Sequence, residues 1–119
     1  MNRVLISCFL FLSLRARAQD LIHRAPVNAA SRPAPFQADD HHVRAGAKLF
    51  ARECAACHGT EGKGGVSAPP LTLPAIYAAS PGTVFWVLKN GSLRRGMPSF
   101  AQVPEPQRWQ IVAYLQSQR

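Results

Sequence analysis

Residues 54–58 read Cys54-Ala55-Ala56-Cys57-His58, and nothing else in the 119-residue chain restricts its fold so sharply. Two thiols three positions apart, followed at once by an imidazole, converge on one small space. C-x-x-C-H is the attachment signature of a c-type haem. The spacing has a chemical reason. Each thiol adds to one of the two vinyl groups of a single porphyrin, and the next side chain offers a neutral imidazole to the iron. The sixth position on the metal then decides the chemistry. A second protein ligand closes the site for electron transfer, whereas an open position admits small ligands or peroxide.

Two rivals share part of the pattern. A structural zinc site needs four ligands, and the third is rarely adjacent to the second cysteine. His23, His41 and His42 offer further nitrogens but no partner spacing. A thiol redox motif needs a βαβ context, and no stretch of this chain alternates like a strand. Cys8, the third cysteine, lies apart in an apolar run near the N-terminus.

That run, Val4 to Leu14, follows a positive start at Asn2-Arg3 and precedes Ala16-Arg17-Ala18. It is too short to span a bilayer as a helix and has the outline of an export signal, residues 1–18, cleaved after Ala18. An uncleaved anchor is the alternative. Export implies an oxidising, periplasmic setting, in which two neighbouring thiols form a disulfide unless something captures them. Haem attachment is such a capture. Formal charge is +8 for the full chain; loss of Arg3, Arg15 and Arg17 with the leader takes it to +5. A basic surface suits docking to acidic redox partners. Nucleic-acid binding is not expected, because the basic residues are scattered and not interleaved with aromatics. The six acidic residues are too few and too dispersed for paired-carboxylate catalysis, and no Ser/His/Asp arrangement competes, so the chain does not read as an enzyme.

Residues 19–38 are rich in Pro, Ala and Arg and read as a flexible extension. The folded domain is expected over residues 39–119. A chain that short makes a meagre core on its own, and a central haem would supply the missing apolar volume. Asp39-Asp40 can cap a first helix that carries Val43, Ala47 and Phe50 on one side, with Gly46 beside them. A glycine within a helix costs roughly 1 kcal/mol against alanine. Either another helix passes close by, or the helix is defective there. Residues 59–70, with four glycines and Pro69-Pro70, form a loop without the spacing of a phosphate-binding loop. A short helix is expected over residues 73–79. Ser80-Pro81 opens a clearer helix that ends at Asn90-Gly91. The last helix starts near Glu105-Pro106, with Trp109, Ile111, Val112, Tyr114 and Leu115 as its apolar stripe. The expected fold is all-α, three to four helices with long loops wrapped around one covalently bound haem.

Met97 is the only methionine besides Met1. It stands 39 residues after His58 in the loop Gly96-Met97-Pro98, far enough along the chain to reach the opposite face of the ring. A thioether is a soft donor that favours Fe(II), so a His/Met pair raises the reduction potential. A buried methionine filling a core gap is the alternative.

With these residues in hand, the chain resembles a class I mono-haem cytochrome c. Gly46 and Phe50, Cys54 to Gly59, Pro69-Pro70-Leu71, Asn90-Gly91, Met97-Pro98-Ser99-Phe100 and Tyr114-Leu115 stand in family order across residues 39–119. The resemblance implies that Gly46 and Phe50 pack against Tyr114 and Leu115. It also implies that Cys54 and Cys57 carry the thioethers, and that His58 and Met97 are the axial ligands of one haem c. The Pro69 carbonyl would accept the second ring N–H of His58. Arg94 or its neighbour Arg95 would face a propionate, or else be solvated or part of a docking surface. The phrases Phe85-Trp86-Val87-Leu88-Lys89-Asn90-Gly91 and Arg108-Trp109-Gln110-Ile111-Val112-Ala113-Tyr114-Leu115 are similar to small cytochromes that accompany periplasmic dehydrogenases. The implied protein is a monomeric periplasmic electron carrier between a dehydrogenase donor and an oxidase or cytochrome acceptor.

Overall fold

The computed structural model describes residues 21–65, 68–72 and 74–118. The expected export signal and its cleavage site lie outside the described residues. Among the described residues there are six α-helices and no strand. They are α1 (Val27–Ala30), α2 (Asp40–Glu53), α3 (Ala55–His58), α4 (Pro74–Ala78), α5 (Pro81–Asn90) and α6 (Glu105–Ser117), with a 3-10 turn at Leu93–Arg95 before α6. No helix among them is long and apolar enough to cross a membrane. The all-α expectation holds. The single turns α1 and α3 are additions, too short to leave a periodic signal.

Helix boundaries follow local chemistry. The Asp39 carboxylate accepts from the His42 backbone N–H, which satisfies one open donor of the first turn of α2. Ser80 does the same for Thr83 at the start of α5, where Pro81 adds its preset φ. Gly91, at φ 62°, ends α5. Here a Cβ would meet the Pro98 carbonyl oxygen at 2.4 Å, so the chain can double back tightly over the helix end.

The core forms where α6 passes behind α2, α4 and α5. Trp109, Ile111, Val112, Ala113 and Leu115 of α6 are all buried, on more than one side of the helix. α2 makes the most extensive contact with α6. Phe50 of α2 and Tyr114 of α6 meet with ring centroids 5.2 Å apart. Phe85 of α5 stacks on Trp109, centroids 4.0 Å apart. The Gln116 side chain donates to the Ala79 carbonyl at 2.7 Å and ties the end of α4 to α6. Buried Arg108 donates from Nε to the Val103 carbonyl at 3.0 Å and covers Phe85 with its guanidinium, which pins the turn that leads into α6.

Residues 21–38, expected from composition to be a flexible extension, make specific contacts with the helices. Ser80 Oγ donates to the Ala30 carbonyl at 2.6 Å. Arg32 pairs with Glu105 and lies over both Phe85 and Trp109. Phe36 stacks on His42, centroids 3.8 Å apart. Composition alone suggested a linker, because Pro and Ala are common there. Prolines also stiffen an extended segment, and the stiffened chain lies along α5 and α6, where Arg32 holds it, and then meets α2 through Phe36 and His42.

Candidate haem site

Cys54 ends α2 and begins the turn α3, with φ −120° and ψ −32°. Its N–H still bonds to the Phe50 carbonyl, while its own carbonyl accepts from Cys57 N–H and His58 N–H. One helical turn therefore carries Cys54, Cys57 and His58, at i, i+3 and i+4, on the same side. Burial of Phe50 under α6 fixes where that turn sits.

The following loop folds back on the turn. Gly59, Gly62 and Gly64 have φ of 81°, 67° and 92°, which only glycine adopts without strain. Gly64 N–H bonds to the His58 carbonyl at 2.8 Å, and Leu71 N–H to the Gly62 carbonyl at 2.7 Å. Through these bonds the Pro69 carbonyl oxygen comes to 2.9 Å from His58 Nδ1. A carbonyl can only accept, so Nδ1 carries the proton and Nε2 keeps its lone pair. The imidazole is thus set in the tautomer that binds a metal through Nε2.

Met97 arrives from the far end of α5. Ser92 and Met97 exchange both backbone hydrogen bonds, at 2.8 and 3.1 Å. The turn between them closes at Gly96, in the left-handed region. Downstream, Phe100 N–H bonds to the Leu88 carbonyl and Ser99 Oγ to the Lys89 carbonyl. Met97 is therefore clamped at both sides to the C-terminal end of α5.

All five residues border one cavity of about 330 Å³, within the range of about 300–1,000 Å³ usual for a cofactor pocket. Cys54, Cys57, His58, Pro69 and Met97 stand in its wall, among apolar side chains from α4, α5 and α6. Arg94 does not: its side chain is exposed, and Arg95 takes the place at the cavity. The 3-10 turn rotates successive residues by about a third of a circle, so only one of the two arginines can face inward. Sequence spacing could not say which. Leu21 and Ile22 also stand in the wall and were missed. Their signal was an adjacent apolar pair ahead of an otherwise polar, proline-rich stretch.

The residues present suit a covalently held haem. Both thiols are free, an imidazole and a thioether share the cavity, and most of the remaining wall is apolar, with Glu53 and Arg95 as its charged members. Burial pushes the Cys54 thiol up to about 11, with repulsion from Glu53 and Cys57 adding to it.

Fold and site together define a small helical protein shaped around a c-type haem. Known proteins agree. Residues 41–115 match the family described as cytochrome c oxidase, cbb3-type, subunit III. Cytochrome c550 of Pseudomonas aeruginosa is 34% identical over 87 residues, which are 70% of this chain and 60% of that protein. The structure of cytochrome CL from the marine methylotroph Methylophaga aminisulfidivorans superposes with a TM-score of 0.58 at 25% identity, covering 66% of this chain and 54% of that one. The chain thus spans between about half and three fifths of these relatives. It belongs to the cytochrome c family as a class I c-type cytochrome, and its cofactor is covalently attached haem c.

Proposed function

We propose that the protein is a one-electron carrier whose iron is held by His58 and Met97, with Cys54 and Cys57 as the thioether anchors. One arrangement carries the reading: an imidazole with only Nε2 free and a clamped thioether stand in the wall of the same apolar cavity. Haem supplies an iron that cycles between Fe(III) and Fe(II). The chain does the rest. Pro69 holds the His58 proton on Nδ1. The Ser92–Met97 pair keeps the sulfur from swinging away. The apolar walls exclude water, and Arg95 offers a charge to an acidic substituent of the ring. With both axial positions filled, the protein transfers electrons rather than catalysing a reaction on substrate.

An exported, periplasmic location follows from the leader-like residues 1–18 and suits the similarity to cytochrome c550 and cytochrome CL. The donor would be a dehydrogenase and the acceptor an oxidase or another cytochrome, met in brief encounters that bury less than about 1,200 Å². A monomer suits such exchange.

The absorption spectrum of the haem-loaded protein tests the ligand pair. A weak ferric band at the red end, lost in Met97→Ala, is the expected result. High-spin ferric iron in the unsubstituted protein would overturn the carrier reading in favour of an open site. Intact mass checks attachment, because a chain made in a haem-attaching host must carry the mass of one haem.

A further inference from the structure

The family match begins at residue 41, yet residues ahead of it reach the haem cavity. Leu21 and Ile22 stand in the cavity wall, and Ile22 also packs against the buried core. The segment that follows is fixed at three separate places. At the first, Gly82 of α5 lets the backbone of residues 29–32 lie directly on it. A Cβ there would come within 2.1 Å of the Ala29 carbonyl oxygen and 2.7 Å of that of Arg32. At the second, Ser80 Oγ, besides capping α5, donates to the Ala30 carbonyl. At the third, the Arg32 guanidinium lies 4.9 Å from the Phe85 ring centroid and 5.3 Å from that of Trp109, and pairs with Glu105. Gly82 and Ser80 are shaped to receive this segment, so its course is built into α5.

We propose that residues 21–36 form a strap that completes the haem cavity, and that Leu21 and Ile22 are positioning residues which shield the iron. The physical case is dielectric. Fe(III) carries one more positive charge than Fe(II), so apolar cover and exclusion of water favour the reduced state. The same cover obstructs small molecules that enter to displace an axial ligand. Arg32 acts at a distance. It touches no residue named as a ligand, but it anchors the strap whose far end bears Leu21 and Ile22. The effect on the potential of a carrier rests on the electron-transfer reading. Closure of the cavity does not.

Ile22→Ser and Arg32→Ala in the full-length, haem-loaded protein test the strap by two readouts, imidazole binding to the ferric form and the midpoint potential. Ile22 is only partly buried and Arg32 lies outside the core, so both variants are expected to fold with the spectrum of the unsubstituted protein. Each should bind imidazole about tenfold faster, as expected when a local closure becomes cheaper to open, and each should show a lower potential. Imidazole rates within about twofold of the unsubstituted protein and unchanged potentials, in both variants, would overturn the proposal. The unsubstituted protein separately reports on the ligand reading. If its ferric spectrum lacks the thioether band, Met97 ligation fails, and the ratio of imidazole rates between variant and unsubstituted protein still judges the strap.

Discussion

Gly46 in α2 lies against the Gln110 carbonyl of α6 so closely that a Cβ on it would stand 1.9 Å from that oxygen and 2.8 Å from Tyr114 Cβ. The two helices cross with backbone on backbone. Neither contact atom is the end of a flexible side chain, so the helices must separate to admit even a methyl group. Gly46→Ala gains about 1 kcal/mol of helix propensity and loses more through overpacking. The net destabilisation should be about 2 kcal/mol or more. Urea unfolding of the haem-loaded protein, followed by helical circular dichroism, measures it.

Ser80 serves two partners, the Thr83 N–H of its own helix and the Ala30 carbonyl of the strap. Ser80→Ala should cost about 1–2 kcal/mol, for loss of the cap and exposure of an unpaired carbonyl. Ser80→Asp would keep the cap but place an acceptor against the Ala30 oxygen. Its stability should recover less than an ordinary cap replacement would, which thermal melts of the three proteins compare.

Removal of the haem anchors should be more damaging. Cys54→Ala with Cys57→Ala leaves a short domain around a cavity of about 330 Å³ lined by apolar side chains. Such a domain has little core to spare. The expected outcome is an exported chain without cooperative melting. A native-like helical spectrum with a sharp transition would contradict it.

Gly64 tests the path to His58, the proposed axial ligand. Its φ is 92°, and a Cβ would meet Pro70 N at 2.8 Å. Gly64→Ala should therefore move the Pro69 carbonyl away from His58 Nδ1. The imidazole loses its orienting bond and part of its electron donation, so the potential should rise. An unchanged potential in a folded variant would show that the bond does not tune the iron.

The first turn of α2 should weaken in acid. The Asp39 carboxyl is held below its usual range chiefly by the His42 backbone N–H; desolvation opposes this, and the His42 side chain and the charge of His41 add smaller lowering effects. A depressed value means stability that is present above the unfolded value of 3.8 and is lost as pH falls through the folded one. Asp39→Asn keeps a capping oxygen but does not titrate. The advantage of the native protein over this variant, read from melts, should shrink as pH drops below that range.

Much of the site was legible from residue order because its chemistry is local. Cys54, Cys57 and His58 sit on one turn, and their spacing alone sets their common face. Ser80-Pro81 and Asn90-Gly91 marked α5 because capping is a property of a few adjacent residues. Met97 was singled out for a different reason, as the only methionine besides Met1, and it stands in the cavity wall. The choice between Arg94 and Arg95 was not legible, because a difference of one position along a 3-10 turn decides which arginine stands at the cavity. The strap was missed altogether. Proline and alanine content describes a chain by its own preferences, whereas Arg32 is held by Phe85, Trp109 and Glu105, more than 50 positions further along.

The sequence by itself determined that a covalent haem sits on a small helical chain, because attachment needs two thiols and an imidazole at fixed covalent spacing. Only the tertiary structure decided what closes around it. The Pro69 carbonyl beside His58, the inward turn of Arg95 and the strap that brings Leu21 and Ile22 to the cavity all depend on contacts between distant segments. Those contacts arise from packing of whole elements, in which the gap left at Gly46 or Gly82 has meaning only once another backbone occupies it.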